Sequence, residues 1–434
     1  MKIELNQKAY KYLSDNSKEC DSQTAFFCCK QNEKFLENAK ENDAATIVYP
    51  AALSELFDIN DIKIIGITGT NGKTTTAAAI YSMLLDLGEK VAFQGTRGLL
   101  INEERAAPKS LTTPLLFETM CNLFRAKEAG CDYFIMEVSS HAIAQDRIEG
   151  LSFFLKIYTN LTQDHLDYHG SFDAYASVKA SFFQDDAMKL INKDAKKIEF
   201  NMKNAYTYAL DAPATFNIIA YSLNNGMTAI MRHFDKQVDF QSPLYGFFNL
   251  YNLTAAIAAV KLITEHDLEK ICAAVENFAG VSGRMEVVSE RPLVIVDFAH
   301  TPDGMEKVMD SLKEKDIVVV FGAGGDRDKS KRPMMGRVAN RYAKKIYLTT
   351  DNPRSEEPLD IINDIYQAID EKEKVKVASN REDAIYFAID ELEEGETLLI
   401  LGKGDEVYQE FKDKKIAFDD REVVREIIKE KFNR

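Results

Sequence analysis

The segment IKIIGITGTNGKTTTAAAIYSMLLDLG (62–88) constrains the fold more than any other part of the chain. In this segment an apolar strand runs into a glycine-rich turn, and a helix with apolar periodicity follows and ends at Gly88. The next apolar strand, KVAFQG, completes a β-α-β unit, which requires parallel strands. The sequence therefore predicts an α/β fold built around this segment.

The turn in this segment has the composition of a phosphate-binding loop. Backbone N–H groups at the start of a helix can bind phosphate oxygens, Lys73 can reach the terminal phosphates, and the Thr74 hydroxyl is the natural Mg²⁺ ligand. The spacing departs from a strict Walker A motif, which requires glycine where this chain has Ile67. We expect the nucleotide to contact Gly69, Thr70, Asn71, Gly72, Lys73, Thr74 and Thr75.

The length of 434 residues predicts three domains at about 150 residues each. We expect a short N-terminal α/β domain (1–61) and a central phosphate-loop nucleotide-binding domain (62–283). After it, the apolar strands LVIVDFAH, DIVVVFGAG, KKIYLTTD and TLLILGKG alternate with amphipathic helices. This alternation predicts a doubly wound C-terminal α/β domain (284–434).

The net charge of −15 argues against broad binding to nucleic acid or to anionic membrane surfaces. The chain has neither a signal-peptide pattern at its start nor an apolar run of about 18 residues, so we expect a cytoplasmic protein. The six cysteines are scattered without paired spacing, which indicates reduced thiols. We expect a monomer.

Further motifs follow the phosphate loop in a fixed order. They are LTTP (111–114), EVSSHAIAQDRI (137–148), NLTQDHLDYHGSFDAYASVKASFF (160–183), FNLYNLTAA (248–256), GRME (283–286), DFAHTPDG (297–304), GGDRDKSKRP (324–333), DNPR (351–354) and GKGDE (402–406). Together with GTNGKTT, this set resembles the Mur ligases, and the resemblance covers most of the chain. GGDRDKSKRP and DNPR are similar to the branch of the family that adds the third residue of the peptide.

The resemblance implies an ATP-dependent ligase that activates a carboxylate as an acyl phosphate, which an amine then attacks. It implies Mg²⁺ bound by Thr74, Glu137 and His165, and a CO₂-derived carbamate on Lys179 that binds a second metal ion. Lys73, His165 and Lys179 are the implied catalytic residues. Both steps develop negative charge near the γ-phosphate, so cations should converge there.

The resemblance also implies how the substrates are held. The implied partners are UDP-N-acetylmuramoyl dipeptide and meso-diaminopimelate. For the muramoyl peptide the implied contacts are Thr112, Thr113, Ser139, Gln145 and Arg147. In the first domain NSKECDSQTAFF (16–27) resembles a uridine-binding pattern in which Ser17 is retained, while Asn16, Lys18 and Ser22 depart from the usual residues. Asn249, Arg284, Asp297 and His300 fall in motifs that line the ATP site between domains.

The resemblance implies that Arg354, in DNPR, recognises the distal carboxylate of meso-diaminopimelate. The chemistry agrees, because a guanidinium pairs with a carboxylate through two charge-assisted hydrogen bonds and would repel the distal ammonium of lysine. The rest of the implied pocket is Arg327, Asp351, Asn352, Pro353, Gly402 and Glu406. Asp405 stands where the family usually has histidine.

Three alternatives remain open from the sequence. The first is a ligase of the same fold with another acceptor, such as lysine or a folyl-glutamate chain. The second is a phosphate-loop binding module that uses ATP as a switch without ligation. The third is a small-molecule kinase, which has no need of the Lys179 motif or of DNPR.

Overall fold

The computed structural model describes residues 1–7, 9–108, 110–224 and 226–432. The chain forms two compact units. The first contains Met1–Ser222, Thr228–Ser242 and Tyr251–Phe278, and the second contains Leu223–Met227, Pro243–Leu250 and Ala279–Arg434. The predicted domain borders after residues 61 and 283 stay predictions.

A small mixed sheet opens the first unit. Its strands are β1 (Lys2–Gln7), β2 (Tyr10–Ser14), β3 (Thr24–Phe27) and β4 (Ile47–Val48), in spatial order β1-β2-β3-β4. β1 is antiparallel to β2, whereas β2, β3 and β4 are parallel. The helices α1 (Leu36–Glu41) and α2 (Leu53–Leu56) follow β3 and β4.

The described residues of the first unit also form an 11-stranded sheet. Its strands are β5 (Lys63–Thr68), β6 (Val91–Gly95), β7 (Gly98–Ile101), β8 (Glu104–Ala107), β9 (Tyr133–Glu137), β10 (Phe153–Tyr158), β11 (Met188–Asn192), β12 (Ala205–Ala209), β13 (Phe216–Ser222), β14 (Met227–His233) and β15 (Lys236–Ser242). The order is β15-β14-β13-β12-β11-β10-β5-β9-β6-β7-β8. β5 lies between β10 and β9 and is parallel to both, as the β-α-β pattern predicts.

Helices lie between these strands or follow the last of them. They are α3 (Lys73–Asp86), α4 (Leu116–Glu128), α5 (Ser140–Ala144), α6 (Leu166–His169), α7 (Phe172–Ser181), α8 (Phe247–Ile263) and α9 (Leu268–Val275). Residues 256–278 form parts of two helices, α8 and α9. The break has a local cause, since Asp267 precedes α9 with extended backbone angles of φ −68 and ψ 146.

The two sheets of the first unit share one apolar core. Leu13, Phe27 and Phe57 belong to the same buried cluster as Phe117 and Phe134. The Phe27 and Phe117 rings stack with their centroids 5.4 Å apart, which adds an aromatic contact to the area buried. Residues from the predicted first domain are therefore part of the core of the central sheet.

The second unit contains, among the residues described, a six-stranded sheet and a two-stranded one. The strands of the larger sheet, in spatial order, are β16 (Glu286–Glu290), β17 (Leu293–Asp297), β21 (Glu396–Leu401), β18 (Asp316–Phe321), β19 (Ala343–Leu348) and β20 (Val375–Val377). All neighbours are parallel except β16 and β17. β22 (Tyr408–Phe411) and β23 (Lys414–Ala417) form the small hairpin.

Both faces of the six-stranded sheet are apolar. Ile317 and Val319 face one core cluster, whereas Val318 and Val320 face the other, because alternate side chains of a strand point to opposite faces. The first face is covered by α10 (Pro302–Asp310), α11 (Lys331–Tyr342) and α12 (Pro358–Tyr366), and the second by α13 (Arg381–Asp390) and α14 (Asp420–Phe432). The prediction of a doubly wound C-terminal domain is confirmed.

Two other sequence predictions concern the cysteines and the membrane. All six cysteines are free, and burial raises the pKa of the Cys121 thiol to about 12. Within the described ranges, no helix combines the length and the apolar character needed to cross a bilayer.

Candidate active site

The phosphate loop leaves β5 at Thr68 and enters α3 at Lys73. Two of its glycines are required by close approach of the surrounding chain. A Cβ atom on Gly69 would lie 1.9 Å from the Thr159 hydroxyl, and one on Gly72 would lie 2.2 Å from Asn252 Oδ1. Gly72 also has a left-handed backbone with φ 82, which favours glycine. The loop thus takes a fixed shape at the N-terminus of α3.

Lys73 and Asn160 hold the loop from two sides. Lys73 Nζ donates to the carbonyls of Gly69 at 2.8 Å and Thr70 at 2.9 Å. Asn160 accepts from the backbone N–H of Asn71 through its side chain at 2.9 Å and from that of Thr70 through its carbonyl at 2.9 Å. Asn160 and Asn252 were not singled out from the sequence, although both lie in the quoted motifs.

Thr74 and Glu137, both predicted metal ligands, lie in direct contact. Thr74 Oγ1 donates to Glu137 Oε2 at 2.8 Å, and the carboxylate is buried with 1% exposure. The N–H of Thr96 donates to Glu137 Oε1 at 2.8 Å, and a Cβ on Gly95 would lie 2.3 Å from that oxygen. A hydroxyl beside a carboxylate is a hard oxygen donor pair, which fits Mg²⁺.

Lys179 is buried beside the phosphate loop. Its side chain is 1% exposed, and Nζ donates to Gly69 O at 2.9 Å and to Thr68 Oγ1 at 3.4 Å. Burial lowers the pKa of this amine well below its ordinary value, and the charge of Lys73 acts in the same direction. The arrangement favours a neutral amine, which is the form that reacts with CO₂.

His165 lies in a group of aromatic and imidazole rings. Its ring centroid is 4.8 Å from that of His141 and 6.4 Å from that of Tyr175. The Tyr175 hydroxyl is 3.0 Å from Thr70 Oγ1, and this contact links the group to the phosphate loop. Among the described residues, no group of three or more His, Cys, Asp or Glu side chains could hold a metal ion.

Four of the predicted substrate residues, Thr113, Ser139, Gln145 and Arg147, form one hydrogen-bonded network. The buried Thr113 hydroxyl donates to Glu137 O at 2.9 Å and accepts from the Ser139 N–H at 3.0 Å. Arg147 Nη1 donates to Thr113 O at 2.9 Å, and Arg147 Nη2 donates to Gln145 Oε1 at 2.6 Å. The loop that carries Gln145 and Arg147 is therefore linked, through Thr113, to the strand that ends at Glu137.

Thr112 and Ser17 lie at different places. The Thr112 hydroxyl is 3.4 Å from that of Thr96, which itself contacts Glu137. Ser17 is 5% exposed, and its hydroxyl donates to Asn38 Oδ1 at 2.8 Å in the N-terminal segment. Ser17 therefore has a hydrogen-bond partner within the protein, and its contact with uridine stays a prediction.

The predicted ATP residues of the second unit surround the start of β16 and the end of β17. Asp297 is 6% exposed and accepts from the N–H groups of Met285 and Ala299, each at 2.7 Å. Burial raises the pKa of this carboxyl, while nearby Arg284 opposes the rise. The Arg284 guanidinium lies 4.4 Å from the centroid of the Phe298 ring.

Two further predicted ATP residues make backbone contacts. Asn249 Nδ2 donates to the carbonyl of Tyr245 at 2.8 Å. His300 is exposed, and its Nδ1 is 2.9 Å from Phe298 O.

Arg354 is held at the edge of the predicted amino-acid pocket. Its Nε lies 3.2 Å from Glu410 Oε2, and its Nη1 donates to Gly325 O at 2.7 Å. Its backbone is left-handed with φ 52. Gly324 leaves room for the guanidinium, because a Cβ there would lie 3.0 Å from Nη1. Glu410 was not singled out from the sequence.

Asn352 and Glu406 meet in the same pocket. Asn352 Nδ2 donates to Glu406 Oε2 at 2.8 Å, and Lys403 Nζ lies 3.1 Å from the same oxygen. A Cβ on Gly402 would lie 2.6 Å from Asp351 Oδ2, so glycine allows these two segments to approach. Lys403 was not singled out from the sequence, although GKGDE contains it.

The remaining residues predicted for the pocket are Arg327 and Pro353. A Cβ on Gly325 would lie 1.9 Å from Pro353 O, which shows how closely the two loops pack. Arg327 is exposed near Gly324. The backbone N of Asp405 is 2.1 Å from the Cβ position of Gly283, so Asp405 lies beside the segment that carries Arg284.

Comparison with known proteins agrees with this geometry. The family model "Mur ligase middle domain" matches residues 67–260, and "Mur ligase, glutamate ligase domain" matches residues 283–404. Two curated relatives are named UDP-N-acetylmuramoyl-L-alanyl-D-glutamate–2,6-diaminopimelate ligase. The protein from Wolinella succinogenes is 52% identical, with 98% of each chain covered. The one from Helicobacter hepaticus is 51% identical, with 91% of this chain and 88% of the relative covered.

Among solved structures, that of a UDP-N-acetylmuramoyl-L-alanyl-D-glutamate–2,6-diaminopimelate ligase superposes with a TM-score of 0.72 at 29% identity. The superposition covers 99% of this chain and 97% of that chain. With family models matching both units and curated relatives at about half identity, the chain belongs to the Mur ligases, a family of ATP-dependent amino-acid ligases.

Proposed function

We propose that this ligase joins meso-diaminopimelate to the D-glutamate carboxyl of UDP-N-acetylmuramoyl-L-alanyl-D-glutamate, with ATP as the activating substrate. The observation that carries the proposal is that Arg354 lies close to the hydrogen-bonded pair of Asn352 and Glu406, because Glu410 contacts Arg354 Nε through its carboxylate and donates its N–H to Asn352 Oδ1. The names of the relatives at 52% and 51% identity support it.

The charges of the predicted pocket match a substrate such as meso-diaminopimelate, which has one carboxylate and one ammonium group at each end. Arg354 offers a guanidinium to the distal carboxylate, and Glu406 offers a carboxylate to an ammonium group. Lysine lacks the distal carboxylate and would place an ammonium beside Arg354. The lysine alternative is therefore disfavoured.

The reaction has two balanced steps. The substrate carboxylate attacks the γ-phosphorus of ATP, which gives an acyl phosphate and ADP. The amine of diaminopimelate then attacks the acyl carbon, phosphate leaves with the bonding electrons, and the nitrogen loses a proton. The N-terminus of α3 and Lys73 stabilise the transferred phosphoryl group, since negative charge develops there.

Mg²⁺, when bound by Thr74 and Glu137, would neutralise phosphate charge. We propose that Lys179 carries a carbamate that adds an anionic ligand at the same place, with His165 contributing from the neighbouring ring group. Burial of the neutral Lys179 amine against Gly69 supports this assignment. The same proposal assigns ATP contacts to Asn249, Arg284 and Asp297 and uridine contacts to the segment around Ser17.

The test is phosphate release by the full chain with ATP, Mg²⁺ and the UDP-muramoyl dipeptide, measured across a panel of amino acids. We expect release to require both the dipeptide and meso-diaminopimelate, with lysine a poor substitute. Release without an amino acid would indicate a kinase or a nucleotide switch. Equal rates with lysine would contradict the assignment of Arg354.

A further inference from the structure

Lys403 lies between Gly402 and Gly404 in the loop that carries Glu406, and its side chain is fully buried at 0% exposure. Lysine is rarely buried without partners. Its ammonium donates to Glu406 Oε2 at 3.1 Å and to Asn352 Oδ1 at 3.2 Å. No step of the proposed reaction uses this cation.

The contact with Lys403 determines how the Asn352 amide is oriented. An ammonium can only donate, so Asn352 must turn its oxygen towards Lys403. The N–H of Glu410 donates to the same oxygen at 2.9 Å. The amide NH₂ group therefore faces Glu406, to which it donates at 2.8 Å.

Glu406 is held through one of its two oxygens. Asn352 and Lys403 both donate to Oε2, and no group in the described part of the chain donates to Oε1. The side chain is 23% exposed. One oxygen is therefore fixed by the protein, while the other can accept a hydrogen bond from a bound ligand.

The loop that carries Lys403 and Glu406 begins next to a buried ion pair. Arg381 and Asp420 form an ion pair with both side chains at 0% exposure. Arg381 Nη2 also donates to the carbonyl of Leu401, the last residue of β21, at 3.0 Å. The two residues that follow are Gly402 and Lys403, so the buried pair anchors the start of the segment that carries the ammonium.

We propose that Lys403 is a positioning residue that orients Asn352 and Glu406, so that Glu406 Oε1 accepts an ammonium group of the incoming amino acid. The inference rests on the proposed function and deepens it. Charge alone predicts the opposite effect of removing Lys403, because a more negative pocket attracts an ammonium group more strongly. Positioning predicts weaker binding of the amino acid.

The test is Lys403→Met, which keeps the apolar stem and removes the ammonium. In phosphate-release assays we expect the KM for diaminopimelate to rise roughly 10-fold to 100-fold, the effect of losing a charged hydrogen-bond partner. The KM values for ATP and the dipeptide should stay unchanged. Lys414→Met is the matched control, since Lys414 is an exposed residue of β23.

A double-mutant cycle with Glu406→Gln separates positioning from general damage. If Lys403 acts through Glu406, Lys403→Met has a smaller effect in the Glu406→Gln background. Additive effects, or an unchanged or lower KM for diaminopimelate, overturn the inference. If Lys403→Met does not fold, Lys403→Gln replaces it, and its KM should lie between those of wild type and Glu406→Gln.

The two proposals fail in different ways. A wild-type chain that releases phosphate without any amino acid overturns the proposed function and the role of Lys403 together. A wild-type chain that uses diaminopimelate, with an unchanged KM in the Lys403 variants, overturns only the role of Lys403.

Discussion

Arg354 Nε lies 3.2 Å from Glu410 Oε2, so the proposed specificity residue already has a carboxylate partner. Its Nη1 donates to Gly325 O at 2.7 Å, and no group in the described ranges accepts from Nη2. Nε and Nη1 of the guanidinium are therefore held by the protein, while Nη2 can donate to a bound carboxylate. Such preorganisation lowers the entropy cost of binding a carboxylate.

For Arg354→Ala we expect kcat/KM for diaminopimelate to fall roughly 10-fold to 100-fold, because a charge-assisted contact is lost. The KM for ATP should not change. Initial rates of phosphate release at varied concentrations of each substrate measure both quantities. Arg337→Ala, at an exposed position of α11, is the control. Equal losses for ATP and diaminopimelate would contradict a role in amine specificity.

Gly72 and Gly88 offer a matched pair, since each has φ 82 and they flank the same helix. A Cβ on Gly72 would lie 2.2 Å from Asn252 Oδ1, whereas one on Gly88 meets nothing within 4 Å. Gly88→Ala should cost about 1 kcal/mol of stability through backbone strain and leave ATP affinity unchanged. Gly72→Ala should also weaken ATP binding, measured by calorimetry. Equal ATP affinities in the two variants would show that ATP binding does not require the absence of a side chain at Gly72.

Lys179 should make activity depend on CO₂. Carbamate formation consumes the neutral amine and releases a proton, so lower pH reverses it. Because burial lowers the pKa of this amine, the neutral form persists to lower pH than for an exposed lysine. We expect CO₂-depleted enzyme to lose activity as the pH falls and to regain it with added bicarbonate.

Substitution provides the second test of Lys179. Lys179→Ala should abolish phosphate release, and a small carboxylic acid should restore part of it. Lys197→Ala, at an exposed position, should behave as wild type. Full activity of Lys179→Ala without an additive would rule out the carbamate.

Removing one partner of the buried pair of Arg381 and Asp420 should strongly destabilise the C-terminal unit. Asp420→Asn removes one charge and leaves the other buried, which typically costs about 3–5 kcal/mol. The thermal unfolding midpoint should fall clearly. Asp186→Asn is the control, since its pair with Lys203 is 62% exposed on both sides and worth about 0–1 kcal/mol. Similar midpoints for both variants would contradict this ranking.

Local patterns predicted much of the fold. The strand, glycine turn and helix of the phosphate loop are read from neighbouring residues. Glu137 ends the buried strand β9, which is parallel to the strand that leads into that loop. Apolar strands that alternate with amphipathic helices predicted the C-terminal sheet in the same way. These features depend on the periodicity of apolar residues and on turn residues, and both can be recognised within a short stretch of sequence.

Other features depend on residues far apart in the chain. Arg381 and Asp420 are 39 positions apart, and nothing near either residue indicates that they pair. Lys403 and Asn352 meet across 51 positions. The merging of the N-terminal sheet into the central core likewise arises from side-chain packing, which sequence periodicity does not encode.

The stacking of Phe27 on Phe117 limits how this enzyme can be recombined with its relatives. Because side chains of the first sheet and of α4 pack in one core, residues 1–61 cannot be exchanged on their own for those of a relative. A chimera that imports this segment from another family member must import the matching surface of α4 as well. The natural crossover point for protein engineering therefore lies beyond α4, at a place that the order of motifs along the sequence does not reveal.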